Sequence, residues 1–388
     1  MEHIPYGRQH LDELDITAVV DVLRSDFLTQ GPAIPAFEER LCALTGAGHA
    51  VAVNSATSAL HIACLALGVG AGDLVWTSPI TFVASANCAR YCGADVDFVD
   101  VEPTSRNMDV GLLRDKLAQA RAEGRRLPKV VIPVHFAGEP CDMPAIRALS
   151  REYGFAVIED ASHAIGSRLL DQRIGDCEWS DITVLSFHPV KIVTTAEGGA
   201  ALTRDPALAA RLRLLRSHGI TRDPAELEHP DEGGWYYEQQ ALGFNYRLTD
   251  VQAALGTSQL RHLEAWIARR HEIADRYDEA LAGLAVRLPR RRPESRSALH
   301  LYAIEIEAGS VARRKVFDQM RAGAIGVNVH YIPVHLQPDF RRLGFRPGDF
   351  PAAEAYYAGA LSLPMYATLT TAQQDRVVAT LRAALETP

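Results

Sequence analysis

A single lysine in the stretch "SFHPVKIVTTAEGG" (residues 186–199) has a context that suits chemistry. The overlapping run "DITVLSFHP" is β-branched and aromatic and predicts a buried strand, and "GGAALT" predicts the strand that returns. Lys191 is therefore expected in a loop between two strands. One interpretation is an ordinary solvated lysine. The other is a partly desolvated amine that is neutral enough to form a Schiff base with a carbonyl cofactor.

An acidic residue ends another apolar strand, "VIEDASHAIGS", where Asp160 lies at the carboxyl end. A carboxylate in this position is costly unless a group pairs with it, and that group is either a structural partner or a protonated ring nitrogen. Ligands of α/β sheets bind at this edge of the sheet. His163 follows three residues later and either contacts such a ring or caps the local structure.

A third segment, "VNSATSALHIA", has the order that anion binding requires. A strand ends at Ser55, and a helix opens with Thr57 and Ser58. Free N–H groups and hydroxyls at a helix N-terminus form a phosphate cradle, although a plain helix cap explains the same residues. A lysine for an aldehyde, an aspartate for a pyridine nitrogen and a phosphate cradle are together what pyridoxal phosphate (PLP) needs.

The elements that must position these residues alternate between strand and helix. Strands are predicted at residues 50–56, 73–79, 95–101, 129–138 and 155–162, with two more on either side of Lys191. Helical patterns separate most of them. This alternation is typical of an α/β fold with a mostly parallel sheet, here of seven strands, covered by helices on both faces.

The pattern changes after a long helix that is predicted from near Thr249 to beyond Arg270. We predict a large cofactor-binding domain over residues 1–259, which includes an N-terminal segment that contacts substrate. A smaller C-terminal α/β domain is predicted over residues 260–388. The polar segment 220–240 is expected to form a loop over the surface or across a subunit boundary.

Composition narrows the class of protein further. The chain has 388 residues, of which 47% are hydrophobic and 23% charged, as in ordinary globular proteins. Its net charge of -8 argues against nucleic acid as a partner. The six cysteines are scattered without metal-ligand spacing, and no apolar run approaches a membrane span. We therefore expect a cytoplasmic protein with no membrane partner and no metal site.

Eight segments resemble, in order, the motifs of the DegT/DnrJ/EryC1/StrS family of sugar aminotransferases. They extend over nearly the whole chain and are "TQGP", "NSATSALH", "SPITFVASAN", "VHFAG", "IEDASHAIGS", "SFHPVKIVTTAEGG", "RSHGI" and "GFNYRLTDVQAALGTSQL". The resemblance implies the fold type I, aspartate aminotransferase-like architecture of PLP-dependent transferases. It also implies a homodimer with shared active sites.

The resemblance assigns roles at the matching positions. It implies that Lys191 binds the PLP aldehyde, that Asp160 pairs with the pyridine nitrogen and that His163 lies near the ring hydroxyl. It also implies that Phe82 lies where the family has an aromatic residue that stacks on the PLP ring. It further implies that Thr57, Ser58 and Ser186 contact the phosphate. Asn245 matches a residue that reaches the phosphate of the neighbouring subunit.

Three further segments, "IPYGRQ", "VHYIPVHLQPDF" and "GDFPAAEAYYAGALSLPMY", resemble members of the family that act in pseudaminic acid biosynthesis. The resemblance implies transfer of an amino group from L-glutamate to C4 of a UDP-linked 4-keto-6-deoxy-N-acetyl hexose of the L-altro series. The residues expected in the nucleotide-sugar cleft are Tyr6, His330, Tyr331 and His335. The alternatives are UDP-4-keto-6-deoxy-D-GlcNAc and GDP-4-keto-6-deoxymannose.

A sugar dehydratase and a non-catalytic regulator are the alternatives to an aminotransferase. A PLP-dependent sugar dehydratase of this family has a histidine in place of the lysine, so Lys191 favours transamination. A non-catalytic regulator with an aminotransferase-like body usually carries a DNA-binding domain in front. The first sheet strand is predicted near Ala50, which leaves too few residues before it for such a domain. The acidic net charge also disfavours a DNA-binding regulator.

Overall fold

The computed structural model describes residues 2–386. Its helices are α1 (Glu13–Leu23), α2 (Ala33–Thr45), α3 (Ala56–Ala66), α4 (Ala84–Tyr91), α5 (Val110–Ala122), α6 (Met143–Tyr153), α7 (Pro206–Arg216), α8 (Asp250–Gln259), α9 (Leu263–Leu281), α10 (Gly309–Ala322), α11 (Pro338–Arg342), α12 (Pro351–Gly359) and α13 (Thr371–Glu386). Across residues 2–386, none of these helices is long and apolar enough to cross a membrane.

The strands divide between one large sheet and three small ones. They are β1 (His49–Val53), β2 (Leu74–Thr77), β3 (Asp95–Phe98), β4 (Val130–Ile132), β5 (Ala156–Asp160), β6 (Arg168–Leu169), β7 (Gln172–Arg173), β8 (Ile182–Ser186), β9 (Gly199–Thr203), β10 (Ile220–Thr221), β11 (Glu238–Gln239), β12 (Val286–Arg287), β13 (Ser295–Arg296), β14 (Tyr302–Ile306) and β15 (Ala360–Leu363). The small sheets are β10-β11, β13-β6-β7 and β12-β14-β15.

The large sheet has seven strands in the order β1-β9-β8-β5-β4-β2-β3. Strand β9 is antiparallel to both of its neighbours, and every other neighbouring pair is parallel. The predicted fold class, a mostly parallel seven-stranded sheet with a further α/β part at the C-terminal end, is confirmed. Because six strands point the same way, their carboxyl ends meet at one edge of the sheet.

The central strands and the helix that packs on them are buried, in agreement with their apolar sequences. Every residue of β8 and β9 is buried, as expected for strands covered by helices on both faces. Helix α3 is buried along most of its length because it packs against the sheet and against α4 and α7. The carboxyl end of β1 is thereby held beside the N-terminus of α3.

The predicted long helix near residue 250 is instead two helices. A 3₁₀ turn at Leu260–His262 separates α8 from α9. The first turns of α9 pack in the core beneath the large sheet, whereas Ile273, Tyr277 and Leu281 pack in the C-terminal core with β14 and α13. Since α9 contributes to both cores, the division into domains at residue 260 stays a prediction.

Asp100 joins the large sheet to the C-terminal part of the chain. It lies just after β3, is buried, and accepts hydrogen bonds from the N–H groups of Ala352 and Ala353 at 2.8 and 2.9 Å. These groups are in the first turn of α12, where Pro351 has no N–H. The aspartate therefore caps a helix from more than 250 residues away in sequence.

Replacing this long-range cap should destabilise the protein more than replacing a local one. Asp100→Ala leaves one buried and one partly buried N–H group without acceptors and is expected to lower the free energy of unfolding by about 2 kcal/mol. Asp109→Ala removes one bond at the N-terminus of α5, from the N–H of Leu112, and should cost about 1 kcal/mol or less. Urea unfolding followed by circular dichroism compares the two variants, and equal losses would contradict this account.

Candidate active site

A cavity of about 410 Å³ opens at the edge where the parallel strands end. The turn from β1 to α3, the end of β5 and the loop after β8 form one side, and residues 328–331 form the other. Most of the residues singled out from the sequence line this cavity: Tyr6, Thr57, Phe82, Asp160, His163, Ser186, Lys191, His330 and Tyr331. The structure brings them together, and their individual roles stay predictions.

Lys191 lies in the loop between β8 and β9, as expected. Its backbone N–H donates to the carbonyl of His188 at 2.8 Å, which fixes the turn that presents the side chain. Burial lowers the pKa of the Lys191 amine to about 8, although the negative charge of Asp160 acts in the opposite direction. The amine is therefore partly neutral near physiological pH, which a nucleophile requires.

Asp160 ends β5 and is only 5% exposed. Its Oδ2 accepts a hydrogen bond from the hydroxyl of Ser85 at 2.6 Å, and Oδ1 accepts the N–H of Ser162 at 3.1 Å. Ser85 is in turn within 2.7 Å of the hydroxyl of Thr81. These bonds hold the carboxylate in one orientation at the cavity wall, where it can accept a further hydrogen bond from a protonated ring nitrogen.

The N-terminus of α3 forms one end of the cavity. Ser55 caps the helix by accepting the N–H of Ser58 at 3.1 Å, so the N–H groups of Ala56 and Thr57 remain without an intrahelical acceptor. A Cβ at Gly199 would lie 2.5 Å from the nitrogen of Ala56. Glycine is needed here because β9 approaches the helix start so closely, and its φ is ordinary.

His163 and Tyr331 form a hydrogen-bonded pair on the opposite wall. Nδ1 of His163 accepts the backbone N–H of Ala137 at 3.3 Å, and Nε2 lies 3.0 Å from the Tyr331 hydroxyl. Burial, and then the charge of Lys191, lowers the pKa of His163 well below its usual value, so the ring is neutral. The proton is therefore on Nε2 and is donated to Tyr331. The hydroxyl proton of Tyr331 is left to bind a group in the cavity.

His330 and Tyr6 form the outer part of the cavity. Burial, and then the charge of Lys191, lowers the pKa of His330 to about 3. Its Nδ1 is 2.8 Å from the Ser362 hydroxyl, and its Nε2 is 3.4 Å from the Asn328 amide nitrogen. The ring of Tyr6 packs 5.6 Å away. Because both nitrogens of His330 have partners in the protein, the ring holds the side chains of Ser362 and Asn328 in position.

Three of the predicted residues do not line the cavity in this chain. The hydroxyl of Ser58 donates to Asn54 at 2.7 Å and lies 3.0 Å from the hydroxyl of Ser55, so its hydrogen-bond partners are the residues that precede the helix. His335 is buried beneath the cavity wall, with Nε2 2.9 Å from Glu354. Asn245 is exposed and lies in an extended segment that pairs with Ser217. The expectation that His335 lines the sugar cleft finds no support in this placement.

Sequence reasoning missed His300, Ser85 and Asn328. His300 is 5% exposed, lies 4.4 Å from the His163 ring, and its Nδ1 has no hydrogen-bond partner within residues 2–386. Burial, and then His163, lowers the pKa of His300 well below its usual value. A histidine inside the apolar run "SALHLYAIEI" was the available signal. Ser85 gave none, since its partner Asp160 is 75 residues away.

The residues of this cavity fit PLP. The α3 N-terminus, with the hydroxyls of Thr57 and Ser186 beside it, suits a phosphate, and the absence of a side chain at Gly199 lets β9 lie directly against this helix start. Asp160 offers an oriented acceptor for a ring nitrogen. Phe82 is 60% exposed although it is aromatic and lines the cavity, as expected of a side chain that stacks on a ring. These residues would hold the phosphate, the nitrogen and the face of the cofactor.

The fold and this cavity define a fold type I transferase of the aminotransferase kind. A sequence model described as the DegT/DnrJ/EryC1/StrS aminotransferase family matches residues 9–382. The chain belongs to this family of sugar aminotransferases.

Individual relatives agree with the family. The spore coat polysaccharide biosynthesis protein SpsC of Bacillus subtilis is 37% identical over 98% of this chain and 96% of its own. The structure of Helicobacter pylori PseC, an aminotransferase of pseudaminic acid biosynthesis, is 29% identical with a TM-score of 0.91 and covers 99% of this chain and 100% of its own. The PLP form of the sugar aminotransferase Spr1654 of Streptococcus pneumoniae is 30% identical with a TM-score of 0.89 over 99% of both chains.

The lowered pKa of Lys191 predicts the pH dependence of its reaction with an aldehyde. With a pKa of about 8 rather than 10.5, about half of the amine is neutral at pH 8 instead of about one part in 300. Below pH 8 the amine gains a proton and the reaction should slow. We expect the initial rate at which apoprotein forms a borohydride-reducible product with PLP to rise with a midpoint near pH 8. Lys191→Ala is the blank, and a midpoint near 10 would show that the amine is solvated.

Proposed function

We propose that the protein is a PLP-dependent aminotransferase that moves an amino group from L-glutamate to C4 of a UDP-linked 4-keto-6-deoxy-N-acetyl hexose. The proposed substrate is UDP-4-keto-6-deoxy-N-acetyl-β-L-altrosamine. The observation that carries the proposal is one cavity that holds a lysine of lowered pKa, a buried and oriented carboxylate and an open helix N-terminus. The likeness to PseC supports the choice of sugar.

When bound, PLP supplies an aldehyde that carries the amino group and a ring that accepts electrons. Nζ of Lys191 would hold the aldehyde, and a substrate amine that took its place would leave Nζ as a free amine beside the reacting carbons. Since that amine is partly neutral, Nζ could accept a proton from the carbon of the amino donor and deliver it to the adjacent carbon of the cofactor. It could make the reverse transfer, from the cofactor carbon to C4 of the sugar, in the second half of the reaction. Asp160, oriented by Ser85 and Ser162, holds the proton on the pyridine nitrogen.

The walls on the substrate side are polar and mostly uncharged. Among residues 2–386, no arginine lines the cavity, and the lowered pKa values of His163, His300 and His330 keep these rings neutral. A sugar presents hydroxyl and acetamido groups rather than a carboxylate, so neutral donors and acceptors suit it. Tyr331 offers a hydroxyl proton, and Tyr6 lies at the outer part of the cavity. Binding of the remote UDP would help to position C4 over Lys191.

The location and assembly of the protein are part of the proposal. All six cysteines are unpaired, which suits the reducing cytoplasm. The exposed position of Asn245 on this chain suits a residue that completes the site of a second subunit. We propose a cytoplasmic homodimer in which Asn245 contacts the phosphate bound by its partner, which is the position that the family resemblance implies.

A mixed dimer tests the shared site. A Lys191→Ala chain and an Asn245→Ala chain should each be nearly inactive alone. Paired with each other, they form one site that has both Lys191 and Asn245, so co-expressed and differently tagged heterodimers should recover up to about half of the wild-type activity per dimer. No recovery in purified heterodimers would remove Asn245 from the partner's site.

A substrate panel tests the reaction. With L-glutamate as donor, mass spectrometry should detect the 4-amino sugar, and the UDP-linked L-altro ketone should react faster than its D-xylo isomer, because misplaced hydroxyl and acetamido groups leave polar partners unpaired. A GDP-linked 4-keto-6-deoxymannose and a dTDP-linked analogue complete the panel, with Lys191→Ala as the control. A preference for the D-xylo isomer or another nucleotide would contradict the sugar assignment alone. No amino sugar from any ketone would contradict the proposed reaction.

A further inference from the structure

A second and smaller crevice, of about 40 Å³, lies on the far side of the histidines that line the active-site cavity. It is bordered by the segment 104–106 and by the arginine-rich loop 289–291. Three guanidinium groups and three hydroxyls line it, those of Arg106, Arg290, Arg291, Thr104, Ser105 and Ser297. Such a lining is rich in hydrogen-bond donors and positive charge.

Arg106 is the most buried of the three arginines. Its side chain is 8% exposed, Nη2 forms an ion pair with Glu305, and the guanidinium lies over the ring of Tyr356 at 5.0 Å. Its Nη1 is buried and has no hydrogen-bond partner within residues 2–386. A buried charged donor without an acceptor is costly, so an acceptor bound in the crevice within reach of this atom would remove that cost.

The three consecutive arginines of the loop have different partners. Arg291 forms ion pairs with two aspartates of α9, and Arg292 with Glu139 at 3.0 Å. Arg290 is exposed, and its described contact is a weak one of 3.5 Å with the Thr104 hydroxyl. No carboxylate in the described part of the chain lies within ion-pair distance of Arg290. The crevice therefore carries positive charge that its neighbours do not neutralise.

Glu139 is the acidic residue in the lining. Its Oε1 is engaged by Arg292, while Oε2 is buried without a partner in the described residues. Burial raises the pKa of Glu139, against the opposing effects of Ser295 and Arg292. The ion pair with Arg292 offsets the negative charge that Glu139 brings to the lining.

We propose that this crevice binds one phosphate group, held by Arg106, Arg290 and the hydroxyls beside them. Since a single water needs about 10–15 Å³ of such volume, a crevice of about 40 Å³ admits one small tetrahedral oxyanion and no nucleoside. The group comes either from free phosphate or from the exposed end of a nucleotide. The site does not depend on the proposed reaction.

The crevice adjoins the active site through two residues. Ala137 lines the crevice, and its backbone N–H is the donor that holds Nδ1 of His163. Leu299 also lines the crevice and directly precedes His300. A bound phosphate would therefore lie against the backbone that positions both histidines of the cavity wall.

Calorimetric titration of the PLP-loaded protein with inorganic phosphate tests the site. Ionic strength is kept constant with chloride, and the cofactor keeps the cradle at α3 occupied. We expect one saturable site per chain, with affinity about tenfold weaker in Arg290→Gln and less reduced in Arg290→Lys. The control is Arg314→Gln, which removes the same charge from an arginine that is 86% exposed on α10, and its affinity should match wild type.

Two results would overturn the proposal: no saturable binding to the wild-type protein, or equal affinity in Arg290→Gln and Arg314→Gln. Arg290 is exposed, so loss of folding does not confuse the comparison. Repeating the titration with UDP present identifies the source of the group. Loss of phosphate binding with UDP, together with weaker UDP binding in Arg290→Gln, assigns the crevice to a nucleotide phosphate. Unchanged phosphate binding assigns it to the free ion.

Discussion

The buried carboxylate of Asp160 is the group on which the arrangement of the cavity depends. It is 5% exposed at the end of a central strand, where an unpaired charge is costly. Ser85 and Ser162 satisfy part of its capacity and fix its direction, and the rest is available to a cationic ligand group. The same charge opposes the lowering of the Lys191 pKa. One carboxylate thus offers an oriented acceptor in the cavity and limits how far the pKa of the Lys191 amine is lowered.

Burial also keeps the other titratable groups of the cavity neutral. The pKa values of His163 and His330 are lowered, and burial raises that of Tyr331, so each of these side chains holds one protonation state over the range in which proteins function. Lys191 is the exception, because its pKa of about 8 lies inside that range. Of these groups, the Lys191 amine is therefore the one that can gain and lose a proton in this range, while the others are fixed hydrogen-bonding groups.

Much of the fold could be predicted because the chain alternates strongly apolar strands with helices, and strand ends meet at one edge. Lys191, Asp160 and Thr57 could be placed near this edge for the same reason, since Asp160 ends β5, Lys191 lies in the loop after β8 and Thr57 lies in the first turn of the helix that follows β1. The hydroxyl of Ser58 and the position of His335 could not be found in this way, because each is set by a bond to a nearby side chain, Asn54 and Glu354. Sequence spacing does not encode those choices of partner.

Helix α9 has a consequence for how substrate enters. Its first turns are packed in the core under the large sheet and its last turns in the C-terminal core, so one continuous helix connects the two cores. Arg270, in the middle of α9, also bonds the carbonyls of Leu299, His300 and Met365. Swinging one wall of the cavity away from the other would break this packing. The cavity is therefore ordered when the chain folds, so less conformational entropy is lost when a sugar nucleotide binds.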